Sequence, residues 1–405
     1  MTHQDPSKAN SLGRRSLLIG IGGLILGSLL SQCQPGIAVG LTVQFLESSL
    51  PPILLREFER NLNSQIRVNL SPQEQLADLF ALLNEPSPSN PAPPSLQTLG
   101  DYWLTTAIQQ QLIAPLPIAN LDGWQQLPES WRRFVQRDEA GRLDPDGPIW
   151  AAPYRWSNLA IAYRTEKFED LDWRPTDWSD LWRPEVTRQI SLLDSARIAI
   201  GIALKTLGQG FNTPDLRQVE KLPETLAALQ QQVKFYSSTN YLQPFILGDT
   251  WVAVGWSNEL VPLMQRDRRI AALVPPSGTA LTADLWVRPH PQGADSPQAN
   301  ASTDPPGGNQ NRPRRPLPTA PLPDLMQRWI EFFWQDEVVT QLSLLSNAAS
   351  PLILPRDRQT LPETLRTDAI RLPDPETLEN SEFLLPLTAA TARQYRDLWL
   401  QTRRA

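Results

Sequence analysis

With one cysteine in 405 residues, at position 33, this chain can form no internal disulfide, so its fold must be held by packing. The residues after that position exceed the roughly 250–300 at which a single core stops growing. More than one lobe is therefore expected. The available chemistry is narrow. The two histidines are His3, near the start, and His290, at the head of a Pro/Gly/Asn-rich stretch. No Ser-His, Cys-His or His-rich metal constellation can be assembled from them. No glycine-rich phosphate loop is found either, so a non-enzyme with no cofactor and no metal is expected. A net charge of −6 argues against nucleic acid, which is bound through clustered Lys and Arg.

Residues 1–33 read as an export signal. Arg14-Arg15 precedes an uncharged run, 17–30, that is shorter than the ~18 residues of a spanning helix and is interrupted by four glycines. Leu30-Ser31-Gln32-Cys33 resembles the bacterial lipobox, which implies lipidation of Cys33 and a tether on the periplasmic side of a membrane. Gln32 stands where a small residue is usual, so an uncleaved signal anchor is the alternative. The arginine pair, with Gly13 before it and Ser16-Leu17 after it, also resembles a twin-arginine signal. Ordinary export stays open beside it.

Hydrophobic periodicity gives the outline of the body. Strands are expected at 41–46 and 66–70, with helices over 53–62 and 73–83 and a Pro/Ser/Asn loop at 85–94. Strand, helix, strand, helix opens an α/β lobe with parallel pairing. A helix over 104–113 follows, then two strand-like pieces within 149–163, on either side of Ser157-Asn158. Further strands are expected at 190–193, 251–256, 270–274 and 285–287, with helices over 198–207, 222–232 and 259–266. Residues 289–323 hold almost no large apolar side chain, so they are expected to form a disordered insertion. An amphipathic helix carrying Leu325, Trp329, Ile330 and Phe333 should follow directly.

Several strings resemble the spermidine/putrescine-binding periplasmic proteins of ABC importers. The clearest is Trp178-Ser179-Asp180-Leu181-Trp182-Arg183-Pro184-Glu185, followed by Leu192-Leu193-Asp194-Ser195-Ala196-Arg197. Leu207-Gly208, Asn212-Thr213-Pro214-Asp215, the run from Leu50 to Phe58 and Ala152-Pro153-Tyr154-Arg155-Trp156 fit further landmarks. The resemblance covers 41–289 and resumes from 323. It implies an α/β fold of the two-lobe periplasmic binding protein type (type II), with hinge crossovers near 158–163 and 278–282 and a ligand in the interlobe cleft. The lobes would comprise 41–158 with 281–340, and 159–280 with 341–405. It further implies a monomer that passes a small, polyamine-like ligand to an ABC permease.

Residue by residue, the resemblance carries over three pocket positions: Trp256, Asp284 and Tyr102. An ammonium needs a carboxylate to pair with and an aromatic face to lie against. Glu47 and Asp194 are added as nearby carboxylates, Asp194 with helix capping as its other role. Elsewhere the match fails. Ser195 and Ile198 stand where the family carries acids, Thr282 replaces a tryptophan, Leu384 replaces a polar residue, and Leu46 and Ser49 replace aromatics. A polyamine site so depleted leaves two readings: a solute-binding protein of altered ligand, or a binding-protein-like interaction or sensor protein.

Overall fold

The computed structural model describes residues 38–62, 66–84, 95–290 and 322–404. The leader with Cys33, the 85–94 loop and nearly all of the 289–323 insertion lie outside those residues. The insertion's flanks are ordered elements: Pro289 closes a strand, and the helix Leu322–Trp334 follows.

Strand β1 (Ala38–Leu46) buries Leu41, Val43 and Phe45, at the spacing of two that puts side chains on one face. It pairs in parallel with β2 (Ile66–Gln73) and with β3 (Leu96–Gly100). The helix Pro52–Arg60 connects the first two. It opens on proline, whose fixed φ suits a first turn and whose missing N–H would have had no partner there. Leu54 and Phe58, four residues apart, face the core from it. The pattern places the next helix from residue 73, but β2 runs on to Gln73 and the helix is Leu76–Asn84. Pro72 is tolerated in β2 because that strand lies at the edge of the sheet. The helix expected over 104–113 is Leu104–Gln109. It is followed by Gln111 at φ 55° and by β4 (Ile113–Ala114).

Strand β5 (Ala152–Arg164) organises the rest. It is one continuous strand, buried throughout, where the sequence suggests two pieces. Asn158 does not interrupt it because both its backbone N–H and its side-chain amide N–H find acceptors, although its Oδ1 is buried without a hydrogen-bond partner among the described residues. Its backbone N–H donates to Ser257 Oγ (3.1 Å) and its Nδ2 to the Ile370 carbonyl (2.8 Å). Strands β6 (Ile190–Leu193), β7 (Val233–Ser237), β8 (Val252–Trp256) and β9 (Ile270–Leu273) follow. β10 (Ala280–Pro289) runs antiparallel to β3 and β5, and β11 (Glu382–Phe383) pairs with its first residues. The strand order is β2-β1-β3-β10-β5-β8-β6-β7.

β5 changes partners partway along. Residues from Ala152 to Asn158 pair with β10, and those from Leu159 onward pair with β8 and β9. The buried side chains part at the same point. Trp156 packs in a first cluster with Trp286, Trp329 and Phe333, and Leu159 in a second with Trp178, Ile200 and Phe211.

The C-terminal region departs from the sequence expectation. Residues 341–405 do not all pack with 159–280; they divide between the two clusters. Leu342, Leu352, Ile353, Leu365 and Leu372 belong to the first cluster, and Tyr395 and Trp399 of the final helix, Ala389–Arg404, belong to the second. Gln335 alone separates the helix Leu322–Trp334 from the next, Asp336–Leu345, so the chain cannot leave the first cluster there. Trp156 then pins the return, its N–H donating to the Ala349 carbonyl (2.8 Å). The Trp178 string is held by a capping box between Asp177 and Asp180, and Trp178 Nε1 donates to the Gly278 carbonyl (2.8 Å). Gly278 is required at that corner, because its φ is +94° and a Cβ would lie 1.9 Å from the Asn380 carbonyl oxygen.

Candidate functional site

A cavity of about 590 Å³ lies between residues contributed by the two halves of the sheet. Asp101, Tyr102 and Arg137 line it from the side of the first cluster, and Ser195, Ile198 and Trp256 from the side of the second. Local structure explains each placement. Trp256 ends β8 at the start of the helix Ser257–Arg266. Its N–H donates to the Tyr241 hydroxyl (3.4 Å), which in turn donates to the Glu259 carboxylate. Tyr102 sits in the short turn Asp101–Trp103 directly after β3, about half exposed and tilted against Trp103 at 4.4 Å. Gly100 makes room for that ring, since a Cβ there would lie 2.8 Å from Tyr102 Cε1.

Asp101 is the carboxylate among the lining residues, and the sequence did not single it out. It is buried, accepting from Thr282 Oγ1 (2.6 Å) and from the Ala283 N–H (3.1 Å). Burial pushes its carboxyl up to about 6, against the lowering effect of those two hydrogen bonds. A desolvated carboxylate of this kind favours an arriving cation, because a counter-charge recovers part of what burial cost it.

The other expected carboxylates are placed differently. Asp284 does not line the cavity. It stands directly across the strand pair from Arg155, which grips its Oδ2 with Nε (2.7 Å) and Nη2 (2.6 Å). Arg155 is itself buried, and its Nη1 donates to the Ser48 and Ser346 carbonyls. The charge expected to receive an amine is already neutralised inside the protein. Glu47 is exposed in the turn Glu47–Ser49 and lies outside the cavity lining. Asp194 also lies outside it, accepting from Trp399 Nε1 (3.2 Å) with Arg403 Nε at 3.9 Å. It does not cap the helix Ala196–Thr206, which has no side-chain cap. Of the six substituted positions, Ser195, Ile198, Thr282 and Leu384 line the cavity, and Leu46 and Ser49 do not.

Two guanidiniums also reach it. Arg137 is 1% exposed and donates to the Phe134 carbonyl, Thr105 Oγ1 and the Gly141 carbonyl, with burial lowering it to about 10. Arg197 donates to the Leu385 carbonyl (2.8 Å) and Asn212 Oδ1 (2.9 Å), and burial lowers it as well. Nothing in the sequence around Arg137 signals this role. Arg197 ends the 192–197 string, and Asp101 directly precedes Tyr102.

A second groove, of about 700 Å³, runs between the helix Ser257–Arg266, β9 and residues 364–377. It has no aromatic wall, and its Arg371 is paired with Asp368 at 2.6 Å. It offers a cation neither an aromatic face nor a free carboxylate of the kind Asp101 presents. Among the described residues no group of His, Cys, Asp and Glu is placed to hold a metal ion.

Residues 54–304 match the family described as bacterial extracellular solute-binding protein. A spermidine/putrescine-binding periplasmic protein of Salmonella typhimurium is 27% identical over 147 residues, covering 36% of this chain and 41% of that protein. The match thus spans about two fifths of that relative's length. A putrescine/cadaverine-binding protein of Pseudomonas aeruginosa is 25% identical over 286 residues, covering 66% of this chain and 71% of its own. Among solved structures, the spermidine/putrescine ABC transporter substrate-binding protein PotD of Streptococcus pneumoniae superposes with a TM-score of 0.71 at 20% identity. That superposition covers 90% of this chain and 98% of PotD. A periplasmic thiamin binding protein superposes at 0.53 and 14% identity, over 90% and 95% of the two chains.

Proposed function

The chain belongs to the family of bacterial extracellular solute-binding proteins, and from that premise we propose that it captures a small amine-bearing solute in the cavity and hands it to an ABC permease. One observation carries this reading: Trp256 and Asp101 face the same cavity from opposite sides. An aromatic face and a buried carboxylate are the two partners that hold an ammonium. The two halves of the sheet would act as lobes hinged where β5 changes partners, near Asn158 and Leu159, and again near Ala280. Closure about such crossings would bring Trp256 down on a ligand seated against Asp101. The spermidine, putrescine and cadaverine named for the relatives make amines the first solutes to test.

Titration of the purified full chain by calorimetry tests the reading. Trp256→Ala should keep the fold and weaken amine binding by roughly tenfold, the loss of ~0.5–2 kcal/mol of cation–π attraction together with buried area. Unchanged affinity in that variant would sink the site. A second reading, an interaction or sensor protein, is favoured by the pairing of Asp284 with Arg155 and by the absence of acids at Ser195 and Ile198. It predicts no solute binding at all.

For localisation, the reading places a monomer on the periplasmic side of a membrane, tethered through lipid on Cys33. No helix among the described residues is long and apolar enough to cross a membrane. Cys33→Ala should move the protein from the membrane fraction to the soluble fraction. A variant that stays with membranes and keeps its leader would instead mark an uncleaved anchor.

A further inference from the structure

The charges around the cavity do not suit a ligand with an ammonium at each end. The lining residues comprise one carboxylate, Asp101, and two guanidiniums, Arg137 and Arg197. Neither arginine has a carboxylate within 4.0 Å among the described residues; Asp101 acts on Arg137, and Glu382 on Arg197, from farther away. Arg137 is almost wholly buried, and its hydrogen bonds go to carbonyl and hydroxyl oxygens, so its charge is uncompensated at contact range. The Nε of Arg197 is buried without a hydrogen-bond partner.

The wall that carries Arg197 is electropositive for a further reason. Ser195, Arg197 and Ile198 form the start of the eleven-residue helix Ala196–Thr206, and all three line the cavity. That helix has no side-chain cap, and the amides of Ala196, Arg197 and Ile198 make no hydrogen bond among the described residues. First-turn amides together with the helix dipole attract negative charge. An ammonium brought to this wall would meet a guanidinium and a positive helix end. A carboxylate would find donors for both of its oxygens.

We infer that the ligand is a zwitterion, its amine held by Asp101 and Trp256 and its acid group received by Arg197 and the first turn of the 196–206 helix. This rests on the amine-capture reading and adds the second end of the ligand. It accounts for Ser195 and Ile198 together: an acid at either position would repel the group this wall receives. It also gives Arg137 a role, since an acid group entering the cavity adds negative charge near a buried guanidinium that has no carboxylate within 4.0 Å among the described residues.

Three compounds of matched length separate the ends: 4-aminobutanoate, 1,4-diaminobutane and butanoate. Calorimetry on the purified full chain should find 4-aminobutanoate bound at least tenfold more tightly than either of the others. Arg197→Gln should weaken 4-aminobutanoate at least tenfold without weakening the diamine. Because Arg197 also ties down Leu385 and Asn212, a second variant guards against misfolding. Ser195→Asp places a favoured residue at the helix N-cap and should reverse the preference, toward the diamine. Tighter binding of the diamine by the unmodified protein overturns the inference and leaves amine capture standing. So does 4-aminobutanoate affinity that is unchanged in both variants. Absence of binding by all three compounds overturns amine capture as well.

Discussion

Asp284→Asn should lower the melting temperature by on the order of 10 °C, because it strands a buried guanidinium. Arg155 is 2% exposed, and its partner's side chain is 12% exposed. Removing one member of a buried pair costs about 3–5 kcal/mol, since the charge left behind has neither water nor a counter-ion. Asparagine keeps the shape, so the loss reports charge and not volume. Arg155→Met should cost a similar amount, through the carboxylate it leaves behind. The double variant Arg155→Met with Asp284→Leu should recover much of the loss, because two apolar side chains of suitable size can replace a buried pair at little net cost. Thermal denaturation of these variants, together with Asp284→Leu alone, completes the cycle. Additive losses would show that the two residues do not act as a pair.

The Asp284–Arg155 pair lies beyond what the sequence alone could say. Asp284 reads as a ligand residue because a resemblance puts it in a pocket. What removes it is register: β10 and β5 run antiparallel with Asp284 opposite Arg155, 129 residues away in the chain. Cross-strand partners are set by strand pairing, which local periodicity does not encode. The same limit hid β3, whose five residues are all buried and so show no alternation. Asp101 was missed for a related reason, since its burial depends on Thr282 and Ala283 from β10.

What local pattern does encode was legible. The helix Leu222–Gln232 falls on the expected residues, and the opening strand–helix–strand unit pairs in parallel. Trp256 and Tyr102 face the cavity because each ends a strand, one at β8 and one just past β3, where side chains leave the sheet toward the same space. The division of 346–372 from the last helix was not legible, because it is fixed by contacts such as Trp156 with Ala349.

Asp101→Asn is the variant on which amine capture stands or falls, and its stability and binding effects have opposite signs. The Asp101 carboxyl is raised to about 6 in the folded protein from an ordinary value near 3.8. Between those values the native state holds a proton that the unfolded chain has released, so stability falls as pH rises through that window. The difference of about two pKa units corresponds to ~3 kcal/mol lost by pH 7. Asparagine still accepts from Thr282 and Ala283 but carries no charge. The unliganded variant should therefore melt higher than the unmodified protein at pH 7 and match it more closely at pH 4. Binding should go the other way. A hydrogen bond to a charged partner is worth about 1.5–3 kcal/mol, so affinity for 1,4-diaminobutane, spermidine or 4-aminobutanoate should fall roughly 10–100-fold. In the unmodified protein, affinity should rise from pH 5 to pH 7 as Asp101 ionises. The deciding measurement is calorimetric titration of both proteins with these three amines at pH 5 and pH 7. Binding that strengthens with pH in the unmodified protein and is weakened roughly 10–100-fold in Asp101→Asn is the predicted result. Equal affinity in the two proteins, or affinity independent of pH, would contradict a site built on Asp101.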